Sequence, residues 1–446
     1  MRPQEIIRRK RDRQELTTDE IRAFIAGAVD GSVSEGQVGA FLMATWLNGM
    51  TVAETTALTL AMRDSGVVID WAPTGIPHRR IIDKHSSGGV GDEKITLIVT
   101  PMAAACGVTV PNISARGLDY GPGEVDMLDA VPGYVTGPDP DTFRRVVAET
   151  GGAIIGPTPR IAPADRSLFY IRDVTATVES VPLITGSIMS KKLAIDPSGV
   201  VICVGSGSGA FMSTLAQARA LATSMTGVAA GAGIDSVMLI TDLDPVLGTS
   251  VGNAVGVAEA ADFLAGRQRD PRVLELCTEV VAEMVVMAGL APDLAAARTL
   301  AVARLEDGSA AERFRRIVAG LGGPAGLVDD PWAHLPHAAV VREVHVERPG
   351  YLAGMDAKEI GLTLVALGGG RRTPDDAIDF AVGITGFARV GDAVGPDQAL
   401  CVVHARNDAE WAAAADRIRA AIRVSATPPP ALPPIVRERI EQHPVR

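Results

Sequence analysis

One stretch constrains the fold of this chain more than any other: residues 81–94, which read IIDKHSSGGVGDEK. Residues that favour β-structure lead into a charged and hydroxyl-bearing corner, then a glycine loop, then an apolar run with helical character over residues 96–106. A strand, a glycine loop and a helix in this order bring backbone N–H groups and the positive end of a helix close to an anion. Lys84, Ser86 and Ser87 add a cation and two hydroxyls, so the stretch predicts a phosphate site. An ordinary turn before a helix is the alternative interpretation.

Length and charge narrow the class of protein. At 446 residues the chain exceeds one ordinary core, which indicates two or three domains. Its 42 basic residues against 53 acidic ones give a formal charge of −11, which argues against nucleic acid as a partner. The basic cluster at residues 8–13 is interrupted by Asp12, and we interpret it as a solvated helix face.

The sequence carries no targeting or metal-binding signal. The N-terminus lacks the apolar core and cleavage site of a signal peptide, and no apolar run is long enough to span a bilayer. We therefore expect a cytoplasmic protein with no membrane partner and no metal site. The cysteines are widely separated in apolar surroundings, and we expect buried free thiols at Cys106, Cys203, Cys277 and Cys401.

Residues 1–65 are predicted to form a small all-α domain of three amphipathic helices. A hydroxyl residue followed three positions later by Glu or Gln marks each helix start, at Thr17, Ser34 and Thr51. Apolar residues then recur at helical spacing. We assign Trp46 and Met50 to the core of this domain.

From residue 80 the pattern alternates between strands and helices. Strands are predicted at residues 81–83, 108–113, 153–156, 200–204 and 237–240, with helices such as 141–150 and 214–230 between them. This alternation favours a largely parallel sheet covered by helices. Ligands of such sheets bind at the carboxyl ends of the strands, which is where the loop after Lys84 falls.

The rest of the chain gives a second group of predictions. A helix over residues 183–194 would place Ser187 and Lys191 on one face, four residues apart. Further predictions are three helices within 270–322, strands at 338–346, 362–367 and 400–404, a helix at 409–422, and a loosely packed proline-rich tail at 428–434.

The predicted fold class is α/β, with a small all-α domain, a larger α/β domain with a mixed, largely parallel sheet, and a C-terminal α+β subdomain. The α domain comprises residues 1–65 and is completed by about 163–194. Residues 66–162 and 195–335 form the large domain, and 336–446 form its C-terminal part.

Several motifs resemble those of the thymidine and pyrimidine-nucleoside phosphorylases. They are DKHSSGGVGD at 83–92, ISARGL at 113–118, IRDVTATVESVPLITGSIMSKKLA at 171–194 and GSGAFM at 207–212. The resemblance covers nearly the whole chain. It implies a homodimer whose active site is the cleft between the two domains, with a pyrimidine nucleoside and inorganic phosphate as substrates and no organic cofactor. Some relatives bind a monovalent cation near the glycine loop, and the sequence leaves that possibility open.

The resemblance also implies roles for individual residues. Phosphate would be held by Lys84, Ser86, Thr96 and Ser114, with Ser87 of the loop beside them, and the base by His85, Arg172, Ser187 and Lys191. Apolar walls of the pocket would be Leu118, Val178, Ile184 and Phe211. Cleavage of an N-glycosidic bond leaves negative charge on the pyrimidine, so His85, Arg172 and Lys191 would stabilise the leaving group. For Arg172 taken alone, a salt bridge to Asp165 or Asp173 is the simpler interpretation.

Glu124 departs from the family pattern on the phosphate side. It stands where the family has a threonine that helps to hold phosphate. It either turns aside or pairs with a cation (Lys84, Lys94 or Arg116), or it activates water in a nucleoside hydrolase, or it binds sugar hydroxyls. A nucleoside-binding relative without turnover is a further, non-enzymatic interpretation.

Other departures lie near the same region. Cys203 and Gly205 replace a family charge pair, and Ala115 adds a methyl group at a tight turn. The base-binding set is intact, so pyrimidine recognition is the firmer expectation. The sequence does not distinguish ribose from 2-deoxyribose or uracil from thymine.

Overall fold

The structure is a computed structural model that describes residues 2–117, 119–373 and 376–443. Its N-terminal part is a helical bundle of α1 (Pro3–Arg11), α2 (Thr18–Asp30), α3 (Glu35–Asn48) and α4 (Val52–Asp64). Capping boxes begin α2, α3 and α4 at Thr17, Ser34 and Thr51, as predicted. The prediction of three helices missed α1, which has no side-chain cap at its start.

Two interpretations of this bundle are wrong. Trp46 is 46% exposed on α3 and is not a core residue, because the apolar stripe of that helix runs through Val38, Phe41 and Leu42. Lys10 does not lie on a solvated face. Its ammonium is buried and pairs with Glu54 of α4 at 2.8 Å. Arg8, Arg11 and Arg13 of the same cluster are exposed, as predicted.

The α/β part is built around the sheet β1 (Ile82–Ser86), β4 (Gly199–Ser206), β5 (Asp235–Asp242) and β13 (Val436–Gln442), in that spatial order. β1, β4 and β5 are parallel, and β13 joins β5 antiparallel. β2 (Val110–Ile113) and β3 (Gly152–Ile155) form a parallel pair next to it. This arrangement confirms the predicted mixed, largely parallel sheet.

Helices cover both faces of this part. They are α5 (Lys94–Ala105), α6 (Glu124–Asp129), α7 (Pro140–Thr150), α10 (Leu215–Gly231), α11 (Asn253–Leu264), α12 (Pro271–Met287), α13 (Leu294–Glu306) and α14 (Ser309–Gly320). α8 (Pro163–Val174) and α9 (Val181–Leu193) instead pack on the N-terminal bundle, against α2, α3 and α4. Within the described residues, none of the helices has the length and apolar character needed to cross a membrane. The cysteines are free and buried, as predicted.

The C-terminal part contains small antiparallel sheets. One has the order β6 (Val251–Gly252), β9 (Gly383–Thr385), β11 (Cys401–Ala405) and β7 (Val340–Val344). The other has β10 (Ala393–Val394), β8 (Gly350–Met355) and β12 (Ile422–Ser425). α15 (Ala357–Leu367) and α16 (Asp408–Ala421) pack against each other.

Two predictions for this part are wrong. Residues 362–367 are helical within α15, because Asp356 caps its start and Gly368 ends it in the left-handed conformation, which overrides the β-favouring composition. The proline-rich stretch 428–434 is irregular and has no buried residue, as predicted, but it is not a tail. The chain returns as β13, and Ile435 just before this strand is fully buried.

β1 is longer than predicted, and this changes the position of the phosphate motif. Lys84, His85 and Ser86 lie on the strand itself, because parallel pairing with β4 continues as far as Ser86 opposite Cys203. The glycine loop therefore begins at Ser87. It leads directly into α5.

A buried ion pair joins the helical bundle to the sheet. The ammonium of Lys192 on α9 lies 2.7 Å from Asp83 Oδ2 on β1 and donates to the carbonyl of Ile113 at 2.8 Å. Asn112 donates to the other oxygen of Asp83 at 2.8 Å. Burial raises the pKa of Asp83 and lowers that of Lys192, and their mutual attraction opposes both shifts. The pair thus fixes α9 beside the strand that carries Lys84 and His85.

We expect Lys192→Met to destabilise the protein by about 3–5 kcal/mol, because it leaves the Asp83 carboxylate buried without its cation. The double variant Asp83→Asn/Lys192→Met should lose less, since it removes both charges. Urea unfolding of the two variants measures the difference. A single variant no less stable than the double one would contradict this assignment.

Glu93 is a second buried charge beside the glycine loop. Neither of its carboxylate oxygens has a hydrogen-bond partner among the described residues. Burial raises its pKa to about 8 although Lys94 opposes the shift. The folded protein therefore holds this proton to a higher pH than the unfolded chain does.

This proton makes stability depend on pH. The free energy of unfolding should fall as the pH rises from the usual Glu value of 4.5 to about 8, where the folded group also ionises. Glu93→Gln should flatten this dependence and be more stable than the wild type at pH 8. Melting temperatures across that pH range measure it, with the exposed Glu149→Gln as the control. A slope in Glu93→Gln equal to that of the wild type would contradict the prediction.

Candidate active site

A cavity lies between the helical bundle and the carboxyl end of β1. The sheet side supplies His85, Ser86 and Ser87, and α9 supplies Ile184, Ser187 and Lys191. Also lining the cavity are Glu124, Arg172, Val178 and Phe211. Most residues of the sequence-predicted site therefore meet in one place, although they come from distant segments of the chain.

Three predicted phosphate residues lie behind the wall of this cavity. As far as the described residues define it, the lining leaves out Lys84, Thr96 and Ser114. All three are buried, and the hydroxyl of Ser114 has no partner within the described part of the chain. Leu118, predicted as an apolar wall, lies outside the described residues.

Arg172 lines the cavity and is held there by backbone carbonyls. Its guanidinium donates to Val178 O at 2.6 Å and to Leu183 O at 3.2 Å. Among the described residues, its Nε has no partner. Burial lowers the pKa of Arg172 to about 10, against the attraction of Asp165, so the group is a cation at neutral pH.

The carboxylate of Asp165 pairs with Lys191 and not with Arg172. The ammonium of Lys191 lies 2.6 Å from Asp165 Oδ2 and 3.3 Å from Ser187 Oγ. The simpler interpretation of Arg172, a direct salt bridge to Asp165, is therefore wrong for this structure, and the side chain of Asp173 lies outside the described part. Ser187 and Lys191 share one face of α9, as predicted.

His85 is a neutral imidazole at neutral pH. Burial, and then the positive charges of Lys192, Lys191 and Lys84, lower its pKa well below the usual 6.5. It faces the same cavity as Ser187 and Lys191. It can offer one N–H as a hydrogen-bond donor but contributes no positive charge.

A relay of hydrogen bonds runs from Lys84 to Glu124. Lys84 Nζ donates to Thr96 Oγ1 at 2.9 Å, and that hydroxyl donates to Glu124 Oε1 at 2.9 Å. Burial lowers the pKa of Lys84, but the carboxylates of Asp92 and Glu124 outweigh this and raise it. In the part of the chain that the structure describes, Lys84, Lys94 and Arg116 make no direct hydrogen bond or ion pair with Glu124.

Several polar groups of the glycine loop already make hydrogen bonds within the protein. Gly88 N donates to Ser86 Oγ at 3.0 Å, and the Ser86 hydroxyl donates to Asp92. Val90 N donates to Gly209 O at 2.9 Å. Burial raises the pKa of Asp92 to about 6. The loop is thus an acidic corner as well as a glycine turn, which the glycine pattern alone did not reveal.

Some residues of the site escaped the sequence analysis. Phe169, Glu179 and Met212 also line the cavity. The sequence suggested Asp165 only as a partner of Arg172, whereas in the structure it orients Lys191. Phe169 and Asp165 precede Arg172 on α8 by one helical turn and two turns, and this spacing is the signal that could have found them.

One departure from the family pattern has a packing reason. A Cβ at Gly205 would lie 2.6 Å from Leu243 Cδ1, so a long side chain at this position of β4 would require repacking.

Comparison with known proteins agrees with this architecture. The family model described as "Glycosyl transferase family, a/b domain" matches residues 78–311, and its helical bundle domain matches 4–66. The model of the pyrimidine nucleoside phosphorylase C-terminal domain matches 351–425. A solved structure of anthranilate phosphoribosyltransferase from Thermus thermophilus has a TM-score of 0.56 at 18% identity, covering 71% of this chain and 99% of that one, and shows the fold.

Two curated relatives extend the similarity to almost the whole chain. They are thymidine phosphorylases of Burkholderia orbicola (strain MC0-3) and Burkholderia lata, each 50% identical over 417 residues. Each alignment covers 94% of this chain and 95% of the relative. With this identity over both domains and the C-terminal part, the chain belongs to the family of thymidine and pyrimidine-nucleoside phosphorylases.

Proposed function

We propose that this protein catalyses the phosphorolysis of pyrimidine nucleosides, giving a free base and a pentose 1-phosphate. The observation that carries the proposal is the convergence of Arg172, Ser187, Lys191 and His85 on one cavity whose other wall is the glycine loop. The curated relatives are thymidine phosphorylases, which supports a pentosyltransferase of this type. Nothing in the comparisons supports the hydrolytic alternative.

The base side of the site fits a departing pyrimidine anion. When the bond from C1′ to the base nitrogen breaks, its electron pair stays on the base and the charge spreads to the carbonyl oxygens of the base. Arg172 and Lys191 place positive charge there, while Ser187 and neutral His85 add hydrogen-bond donors. Donors fixed in advance stabilise such developing charge, typically by about 3–4 kcal/mol each.

Phosphate would enter from the opposite face and form the new bond to C1′. We place it against Ser86, Ser87 and the glycine loop, with Lys84, Thr96 and Ser114 in support from behind. Lys84 and Thr96 belong to one hydrogen-bonded relay, and Ser114 has a free hydroxyl among the described residues. Closure of the α domain, residues 1–65 with about 163–194, would bring the two substrates together and exclude water.

The α domain also supports a homodimer. Met43, Trp46 and Leu47 on α3 and Val52 at the start of α4 are exposed, with Leu47 at 64% and Val52 at 57%. Exposed apolar residues grouped in this way mark an interaction surface. A second copy of this chain is the partner that the family resemblance implies.

We expect base release from uridine or thymidine to require phosphate and to yield the sugar as its 1-phosphate. Arg172→Ala should lower kcat/KM about 100-fold or more, because one charged donor to the leaving base is lost. Chromatography of the products with and without phosphate tests the phosphate requirement. Steady-state kinetics measures the loss of kcat/KM in Arg172→Ala. Free pentose, released at an undiminished rate in phosphate-free buffer, would show a hydrolase and refute the proposal. No multiple-turnover base release at all would favour a binding protein.

Arg166 supplies a matched control on the same helix. It is exposed, whereas Arg172 is buried at the cavity. Arg166→Ala should retain wild-type kcat/KM. An equal loss in both variants would show that the effect of Arg172→Ala comes from damage to α8.

We further expect Glu124→Thr to lower the phosphate KM. Two unit charges about 4 Å apart repel by about 4 kcal/mol at an effective dielectric of 20, so removing even part of this repulsion should lower KM about tenfold. Glu124→Gln, which removes the charge and keeps the size, should act in the same direction. Phosphate saturation curves of the variants test this, and an unchanged or higher phosphate KM in both would contradict it.

A further inference from the structure

Lys94, at the start of α5, has its ammonium in a closed cage of oxygen atoms. The side chain is fully buried. Nζ donates to Leu247 O at 2.9 Å, to Ser250 O at 2.7 Å and to Glu259 Oε2 at 2.8 Å. A lysine ammonium has three N–H donors, and each of them has found an acceptor here.

The cage is rigid and lies directly beneath the glycine loop. Glu259 also accepts from Thr249 N at 2.9 Å and from the hydroxyl of Ser250, which fixes its carboxylate. A Cβ at Gly91, which has φ of +88°, would lie 2.3 Å from Leu247 O, so loop and cage are in close contact. A Cβ at Gly248 would lie 2.9 Å from Lys94 Nζ, so the backbone at Gly248 packs closely against the ammonium.

Backbone carbonyls and a carboxylate are also the ligands that proteins offer to hard cations. The N–O distances in the cage, 2.7 to 2.9 Å, exceed the roughly 2.3–2.6 Å that Ca²⁺ requires. Without the lysine, a cage of this size with the single negative charge of Glu259 would suit a large monovalent cation. In this chain the ammonium of Lys94 fills the cage. The residues present therefore do not fit a bound monovalent cation.

We propose that Lys94 is a built-in cation that replaces an exchangeable monovalent ion beside the phosphate loop. It is a positioning residue: it ties α5 to residues 247–250 and to α11, and through Leu247 it supports the turn at Gly91. The protein should then need no added K⁺ or Na⁺. The test measures the thermal stability of the protein and not its activity. The inference can therefore fail without affecting the proposed phosphorolysis, and the reverse also holds.

The test is thermal unfolding of the full-length protein in KCl, NaCl or choline chloride at equal ionic strength. The wild type should melt at the same temperature in all three salts. Lys94→Ala should melt several degrees lower in choline chloride, and K⁺ should restore part of this loss with saturation, as a specific ligand does. Choline is too large for the vacated cage, so it reports only the general effect of salt.

Two variants serve as controls. Lys94→Ala/Glu259→Gln lacks the cage carboxylate and should not be restored by K⁺. Lys10→Ala removes another buried lysine, whose partner Glu54 offers no carbonyl cage, and should respond equally to K⁺ and choline. The proposal is overturned if the wild type is more stable in K⁺ than in choline, or if Lys94→Ala responds equally to both. If Lys94→Ala does not fold, the melting temperatures of the wild type in the three salts still test the proposal.

Discussion

The buried contact between Asp83 and Lys192 is the constraint on which the site depends. It joins the first strand of the sheet to a helix that packs on the N-terminal bundle. Because Lys191 and Lys192 are consecutive, anchoring one of them sets the direction of the other. Lys192 binds the sheet while Lys191 faces the cavity, and the same strand carries Lys84 and His85. One ion pair thereby sets α9 against the strand that carries Lys84 and His85.

The two ends of the cleft differ in charge. The end formed by α8 and α9 holds the cations Arg172 and Lys191, and the carboxylate of Asp165 pairs with Lys191. At the end beside the glycine loop, Asp92 and Glu124 act on Lys84, and burial raises the pKa of Asp92 to about 6 and that of Glu93 to about 8. A protonated Glu93 relieves part of the repulsion that an incoming anion would meet. The end at α8 and α9 is thus the more positive half of the cleft, and the end at the glycine loop is the more acidic half.

The sequence predicted the elements that local patterns determine. Capping boxes located α2, α3 and α4, and the alternation of strands and helices predicted the parallel sheet. It failed where tertiary contacts override local preference, as at residues 362–367 and in β13, whose pairing partner β5 is almost 200 residues away. The exposure of Trp46 could not be predicted either, because the sequence alone does not distinguish a large apolar residue in a core from one on an interaction surface.

In the candidate site too, local motifs were predictable and tertiary contacts were not. Motifs identified Arg172, Ser187 and Lys191, but not the carboxylate that orients Lys191, since Asp165 is brought to it by the packing of α8 on α9. The relay from Lys84 through Thr96 to Glu124 joins three separate segments and has no sequence signature.

A crystal structure of the protein with phosphate and a free pyrimidine base would test the account most directly. We expect the base oxygens within about 3 Å of Arg172 and Lys191, and phosphate on the far side of the cavity against Ser86 and the glycine loop. A base bound elsewhere, or phosphate kept out of the cavity by Glu124, would contradict it.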